Sequence, residues 1–91
     1  MLKSFILMLA SLVQPFPKPP EIVKLKATHR GVIIYRTRYA EEVQFTSYPA
    51  GTFVSPDLPP NGQIGPLPPG VYLCKAIGPK QEVTQLVEVL P

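Results

Sequence analysis

Residues 67–91 read LPPGVYLCKAIGPKQEVTQLVEVLP, and this stretch decides the fold. Across residues 71–77, Tyr72, Cys74 and Ala76 fall on one face and the residues between them fall on the other. This two-residue period is that of a β-strand. Gly and Pro at residues 78–79 are typical of a turn. Alternation resumes at Glu82, with three valines on one face and two glutamates on the other. The stretch therefore predicts two antiparallel strands joined by a short turn.

The beginning of this stretch resembles two patterns found in β-sandwich proteins. Tyr72 stands two residues before Cys74, a spacing similar to the tyrosine corner of immunoglobulin domains. The segment LPPGVY at residues 67–72 is similar to the L-x-P-G-x-Y motif of bacterial surface domains and carboxypeptidase-regulatory-like sandwich domains. The resemblance implies an immunoglobulin-like β-sandwich. The chain has one cysteine and no tryptophan, so the disulfide between sheets and an antibody-type domain are not expected.

Length and proline content limit the rest of the architecture. A chain of 91 residues makes one domain with a small core. Its 13 prolines concentrate in residues 15–20 and 56–69. Because proline breaks helices and central strands, helix is expected only within the first fifteen residues. Since no disulfide pair or Cys/His cluster is present, we expect stability to come from a compact β core or from contacts between subunits.

Shorter alternating segments upstream of residue 67 complete the predicted sandwich. They predict strands at residues 22–28, 31–39, 42–48 and 52–54, and a short one around residues 63–64 within an irregular loop at 57–69. The expected fold is all-β, a small immunoglobulin-like sandwich of six to seven antiparallel strands. The side chains expected to face inward are Val23, Leu25, Ala27, Ile33, Tyr35, Tyr39, Val43, Phe45, Tyr72, Cys74 and Ala76.

Residues 1–14, MLKSFILMLASLVQ, form an apolar segment that carries a lysine near its start. The segment resembles a secretory signal peptide, but no A-x-A triplet follows it. As a helix, residues 2–13 would extend about 18 Å at about 1.5 Å per residue, too short for a bilayer core of about 30 Å. We therefore expect a retained N-terminal arm, helical or extended, that is buried against a partner subunit or a lipid surface. A cleaved signal peptide stays open as the alternative.

The domain organisation follows from these segments. An apolar arm is expected at residues 1–14, a proline-rich spacer at 15–20 and the β-sandwich domain at 21–91. Proline-rich spacers are semi-rigid and extend by about 3.1 Å per residue. Such a spacer would hold the arm away from its own domain.

Residues that could perform catalysis are few. The chain has one His, one Cys and one Asp. His29 falls in a predicted turn and Cys74 on a predicted inner face, so the pattern does not bring them together as a nucleophile and base. Glu41 and Glu42 are adjacent and would face opposite sides of a strand. No glycine-rich phosphate loop is present. We therefore predict no enzymatic activity, no metal and no cofactor.

The strand at residues 31–39 carries both tyrosines and arginines, a combination that single-stranded nucleic acid platforms use. Such a platform needs both residue types on one face. Here Tyr35 and Tyr39 alternate with Arg36 and Arg38, which places them on opposite faces. The net charge of +3 is also small for a nucleic-acid-binding protein. Nucleic acid is therefore not the expected partner.

Charged residues make up 16% of the chain, compared with about 25% in typical soluble proteins. This shortage suggests that other molecules cover much of the surface. We expect a structural subunit of a repetitive assembly, namely a small virion protein (decoration, cement or vertex) docked through its N-terminal arm. The alternatives are a secreted or surface-anchored immunoglobulin-like binding or adhesion module, with residues 1–14 as signal peptide, and a pilin-like filament subunit. The expected location is the virion, the extracellular space or the cell surface.

The expected partners are protein subunits of the same assembly, as a homo- or hetero-oligomer, and residues 2–13 could also contact lipid. Arginine is enriched at protein–protein interfaces, and a proline-rich loop with apolar side chains offers a suitable surface for a protein contact. The residues predicted to bind partners are Phe5, Ile6, Leu9, Leu12, Val13, Phe16, Arg36, Arg38, Leu58 and Ile64.

Overall fold

The structure is a computed structural model that describes residues 18–91, and this part of the chain is a β-sandwich. The predicted N-terminal arm lies outside the described residues. Residues 18–91 contain seven strands and no helix. The strands are β1 (Glu21–Ala27), β2 (Ile33–Arg38), β3 (Glu42–Tyr48), β4 (Phe53–Leu58), β5 (Asn61–Ile64), β6 (Gly70–Ile77) and β7 (Glu82–Val89). All their pairings are antiparallel, so the predicted all-β sandwich of six to seven antiparallel strands is confirmed, and it is compatible with an immunoglobulin-like fold.

The strands divide into a three-stranded sheet, β1-β2-β5, and a four-stranded sheet, β4-β3-β6-β7. The chain crosses from the first sheet to the second between β2 and β3, returns between β4 and β5, and crosses again before β6. In constant-type immunoglobulin domains the fourth strand lies in the sheet of the first, second and fifth strands. Here β4 lies beside β3 instead, which enlarges the other sheet.

The C-terminal hairpin is the regular centre of the four-stranded sheet. The β6–β7 ladder runs without irregularity from Gly70 opposite Val89 to Ile77 opposite Glu82. On its other side, β6 pairs with all of β3. The Tyr72 hydroxyl donates a hydrogen bond of 2.6 Å to the carbonyl oxygen of Pro68. The bond has the pattern of a tyrosine corner, in which a tyrosine hydroxyl donates to the backbone a few residues upstream, and it anchors the start of β6.

The core lies between the inner faces of the two sheets, as the alternation of side chains along the strands predicted. Tyr35 of β2 meets Phe45 of β3 edge to face, with ring centroids 5.4 Å apart. The hydroxyl of Tyr35 donates a hydrogen bond of 2.9 Å to the carbonyl oxygen of Pro59. Because that polar end is satisfied, the ring can be buried without an unpaired hydroxyl. The buried apolar residues are Ile33, Tyr35, Val43, Phe45, Ile64, Tyr72, Cys74, Ala76 and Val89.

Val23, which was expected to face the core, is nearly half exposed. The reason is a break in register between Ile22 and Lys24 on β1. A bulge of this kind shifts the alternation by one residue. Ile22 therefore packs against the core in place of Val23, together with Leu25 and Ala27.

Tyr39 was also expected on the inner face and is instead exposed at the end of β2. Its φ angle of 62° lies in the left-handed region, which ends the strand before the alternation reaches it. Thr37 is the last buried side chain of β2, and its hydroxyl donates a hydrogen bond of 2.6 Å to the carbonyl oxygen of Pro60.

About half of the irregular loop expected at residues 57–69 is strand, including the short strand expected around residues 63–64. β4 continues to Leu58, and β5 follows almost at once at Asn61. β4 contains Pro56, which a central strand would not tolerate because proline has no N–H to donate. Since β4 lies at the edge of its sheet, proline can be accommodated there. Only residues 65–69 remain as the loop into β6.

Candidate interaction surfaces

The two side chains considered for nucleophilic catalysis lie in different parts of the fold. Cys74 is fully buried in the core, and this burial raises the pKa of its thiol to about 11. The thiol is therefore protonated near neutral pH and is a poor nucleophile. His29 is exposed in the turn between β1 and β2. The structure does not bring these residues together.

Acidic side chains come close at one exposed position, the β3–β4 pair. A hydrogen bond between the Asp57 and Glu42 side chains raises the pKa of Glu42, with smaller contributions from desolvation and from the negative charges of Asp57 and Glu41. The pair therefore holds a proton more readily than an isolated carboxylate. Within residues 18–91, no three His, Cys, Asp or Glu side chains form a group that could hold a metal ion.

Two adjoining grooves lie at the end of the sandwich that carries the β1–β2 turn. One, of about 290 Å³, is lined by His29, Glu88 and Leu90 among others. The other, of about 190 Å³, lies between the same turn and the residues before β6. Small-molecule sites combine an enclosed apolar cavity with several converging polar groups. These open grooves have neither feature.

The outer face of the four-stranded sheet carries a row of apolar side chains. The register places Phe53 of β4 opposite Thr46 of β3, Thr46 opposite Leu73 of β6, and Leu73 opposite Leu86 of β7. The row therefore has apolar side chains on β4, β6 and β7, and the hydroxyl-bearing Thr46 is its member on β3. Phe53 is 59% exposed and Leu86 is 48% exposed.

A second apolar pair adjoins this row, because Tyr48 of β3 lies opposite Val71 of β6. Tyr48 is 52% exposed. We call the combined surface the apolar face; it consists of Tyr48, Phe53, Val71, Leu73 and Leu86. Glu88 lies beside it, opposite Val71. Lys75 and Glu82, farther along the sheet, approach to 3.9 Å in an exposed ion pair.

The outer face of the three-stranded sheet has the opposite character. Lys24 of β1 lies directly opposite Arg36 of β2. Lys26 and Arg38 stand two residues along on the same strands, and side chains two residues apart share a face. We call these four residues, Lys24, Lys26, Arg36 and Arg38, the basic face. All four are exposed.

Negative charge is almost absent from the three-stranded sheet. Of the six acidic residues in the chain, Glu21 alone belongs to that sheet, where its carboxylate lies 4.0 Å from Arg38. The other five lie on the strands of the four-stranded sheet or next to them: Glu41, Glu42, Asp57, Glu82 and Glu88. The protein therefore carries positive charge on one side and a surplus of negative charge on the other.

The residues predicted to bind partners have different placements. Arg36 and Arg38 are exposed on the basic face. Leu58 is half-buried and packs against the core, and Ile64 belongs to the core with only 9% of its surface exposed. Leu58 and Ile64 therefore have little surface left for a partner, because the predicted loop that held them is strand. The remaining six lie outside the described residues: Phe5, Ile6, Leu9, Leu12, Val13 and Phe16.

Sequence reasoning missed the apolar face, although part of its signal was present. Leu73 and Leu86 occupy outward positions in an alternation that was recognised. Their neighbourhood depends on the pairing of β6 with β7, and the contribution of Phe53 depends on the pairing of β4 with β3. Those pairings are set by the tertiary fold.

Comparison of the chain with protein families, with curated proteins and with solved structures finds no match. Within residues 18–91 no helix has the length and apolar character needed to span a bilayer. A β-sandwich fold hosts many functions and does not by itself specify one. The apolar face and the basic face are the features from which a function can be argued.

Proposed function

We propose that the protein is a non-catalytic structural subunit of a repetitive assembly and that the apolar face contacts a neighbouring protein subunit. The observation that supports this is the apolar face on the outer side of the four-stranded sheet, where Phe53 and Leu86 are about half exposed. Contiguous apolar surface of this kind is uncommon on monomeric proteins and usually marks an interaction site.

The composition of the apolar face fits a protein partner. Aromatic residues are enriched at the centres of interfaces, and Tyr48 and Phe53 supply two of them. Charged residues belong at the rim, where Glu88 and the ion pair of Lys75 with Glu82 lie. The surface is the outer face of a sheet, so it offers a rigid platform whose side chains are held by backbone pairing.

Within this class, a small virion protein of the decoration, cement or vertex type is the favoured form. The low charged fraction of 16% supports a subunit whose surface is largely covered. An uncleaved arm at residues 1–14 would supply the anchor, and its partner is a neighbouring subunit or a lipid layer. The secreted adhesion module and the pilin-like subunit stay as alternatives. N-terminal sequencing of native material separates the first from the arm model, because removal of the segment would start the chain near Gln14.

The apolar face is tested with a double variant of the full-length chain, Phe53→Ser with Leu86→Ser. We expect association, measured by analytical ultracentrifugation and by incorporation into the native assembly, to weaken at least roughly 30-fold because aromatic and large apolar side chains dominate interface energies. Both positions are exposed, so the thermal midpoint should change little.

The matched control is Val23→Ser with Leu90→Ser. These residues are exposed apolar side chains outside the apolar face, and the control should associate as the unmodified chain does. Normal assembly of the Phe53→Ser, Leu86→Ser protein would refute the proposal. So would an unmodified chain that remains monomeric and does not incorporate.

A further inference from the structure

The basic face brings cationic side chains close together. Lys24 and Arg36 are direct neighbours across the β1–β2 ladder, and like charges in that position destabilise a sheet. Within residues 18–91, Arg38 is the member of the basic face that has a carboxylate oxygen within 4.0 Å, that of Glu21. The cations at Lys24, Lys26 and Arg36 therefore have no such partner in this part of the chain.

We infer that the basic face docks on an anionic lipid surface. The register places four cations on one outer face of the three-stranded sheet, so they can meet several headgroups at once. Asn61 lies opposite Arg36, and Gln63 lies opposite Ile34. Their amide groups extend the polar surface across β5 and can donate hydrogen bonds to phosphate oxygens. Cationic side chains at such a surface are attracted by the negative potential of the lipid headgroups.

Lipid fits this face better than nucleic acid or protein does. Single-stranded nucleic acid is bound by aromatic side chains that stack on bases, but Tyr35 points into the core and Tyr39 lies beyond the end of β2. Protein interfaces have an apolar centre from which charged residues are depleted. The centre of the basic face is charged, with Ile34 half-buried among the cations.

The position of the N-terminal segment supports the same docking. β1 begins at Glu21 and is an edge strand of the sheet that carries the basic face, so residues 1–17 precede this sheet and are joined to it through residues 18–20. The proline-rich spacer predicted at residues 15–20 would extend at most about 19 Å at about 3.1 Å per residue. That length allows the apolar residues 2–13 to reach the lipid on which the basic face rests. One apolar anchor and one polybasic patch are each weak, and together they give stable binding.

The charge distribution also sets the orientation of the protein on the lipid surface. The acidic residues outside Glu21 lie on or beside the four-stranded sheet and would be repelled by anionic lipid. The apolar face would then point away from the lipid, where a neighbouring protein subunit could bind it. This inference goes beyond the proposed function, because it concerns a different face and a different class of partner.

The test is flotation of the full-length protein with vesicles of phosphatidylcholine alone and of phosphatidylcholine mixed with phosphatidylglycerol. We expect preferential binding to the anionic vesicles that declines as salt is added. Lys24→Gln with Arg36→Gln should lower the partition coefficient about 30-fold, which corresponds to about 1 kcal/mol for each cation removed. Lys75→Gln with Lys80→Gln makes the same change in net charge away from the basic face and should reduce binding less than about 3-fold.

A second pair, Leu9→Gln with Leu12→Gln, tests the apolar anchor and should reduce binding at every salt concentration. Circular dichroism should show that all three double variants are folded, since the substituted residues of the basic face are exposed.

Equal losses in the Lys24/Arg36 and Lys75/Lys80 pairs would overturn the assignment of the face. Equal binding to both kinds of vesicle would do the same. Binding to a synthetic oligonucleotide or an acidic protein without binding to anionic vesicles would assign the face to another partner. Unchanged binding of the Leu9/Leu12 pair would overturn the two-part anchor.

Discussion

The outer faces of the two sheets differ sharply, although their inner faces are alike. Inside, both sheets present mostly apolar side chains, because both contribute to one core. Outside, the four-stranded sheet presents the apolar face and the three-stranded sheet presents the basic face. Packing in the core restricts which residues can occupy the inner positions, whereas the outer positions are less restricted. The outer faces of this small domain can therefore differ in their surface chemistry. The two faces point in opposite directions, so they can serve two partners at once.

The largest expected effect separates the inside of the four-stranded sheet from its outside. Phe45 and Phe53 lie on neighbouring strands, the first fully buried and the second 59% exposed. Phe45→Ala should lower the free energy of unfolding by about 3–5 kcal/mol, because it leaves a cavity against Tyr35. Phe53→Ala should change it by less than about 0.5 kcal/mol. Urea unfolding measures both, and similar losses in the two variants would contradict the assignment of inner and outer faces.

A smaller effect is expected at the tyrosine corner, which belongs to the four-stranded sheet. Tyr72→Phe removes the hydroxyl that donates to the carbonyl oxygen of Pro68, so stability should fall by about 1 kcal/mol. Tyr48→Phe, on the exposed apolar face, is the control and should be nearly neutral. Thermal unfolding compares the two. Binding of the Tyr72→Phe protein to anionic vesicles should be unchanged, since the basic face lies on the other sheet.

The basic face should give a stabilising substitution. Lys24→Gln removes one member of the like-charge pair with Arg36 and should raise the free energy of unfolding by about 0.3 kcal/mol at low salt. The gain should disappear at high salt, where the repulsion is screened. Lys80→Gln, in the β6–β7 turn, should show no such salt-dependent gain. Urea unfolding at two ionic strengths measures these changes in the free energy of unfolding. A loss of stability in Lys24→Gln would contradict the repulsion.

The carboxyl pair at the edge of the four-stranded sheet should give the smallest effect. Asp57→Asn removes the partner that raises the pKa of Glu42, so that pKa should return toward its ordinary value. Asn tolerates the left-handed backbone of residue 57, whose φ is 58°. Carbonyl NMR titration of Glu42 measures the change, and Glu88→Gln is the control that should leave it unaffected.

The sign of the pH dependence follows from the direction of this shift. Because the pKa of Glu42 is raised in the folded state, its contribution favours folding below the ordinary Glu pKa. That contribution is lost as the pH rises through the raised value, where both carboxylates are ionised and repel each other. Asp57→Asn should therefore show a weaker loss of stability over this interval than the unmodified protein. An identical Glu42 titration in the two proteins would contradict the coupling.

The sequence by itself determined the features that depend on neighbouring residues. The hairpin of β6 and β7 follows from an alternation and a turn, and the inward positions of Val43, Phe45 and Cys74 follow from the same period. Local physics suffices for these, because a side chain two residues away must lie on the same face of a strand. The tyrosine corner was also visible, since Tyr72 and Pro68 are close along the chain.

Tertiary structure alone decided how strands align and which sheet they join. The bulge after Ile22 exposes Val23, and the pairing of β4 with β3 brings Phe53 to the apolar face. Arg36 was predicted to bind a partner and Lys24 was not; the β1–β2 register makes them neighbours and so defines the basic face. Sheet pairing joins residues distant along the chain, and alternation within one strand holds no information about the register of its partner. Most inner positions could therefore be predicted from sequence, with Val23 and Tyr39 as exceptions, whereas the assembly of residues from several strands into the two outer faces emerged with the fold.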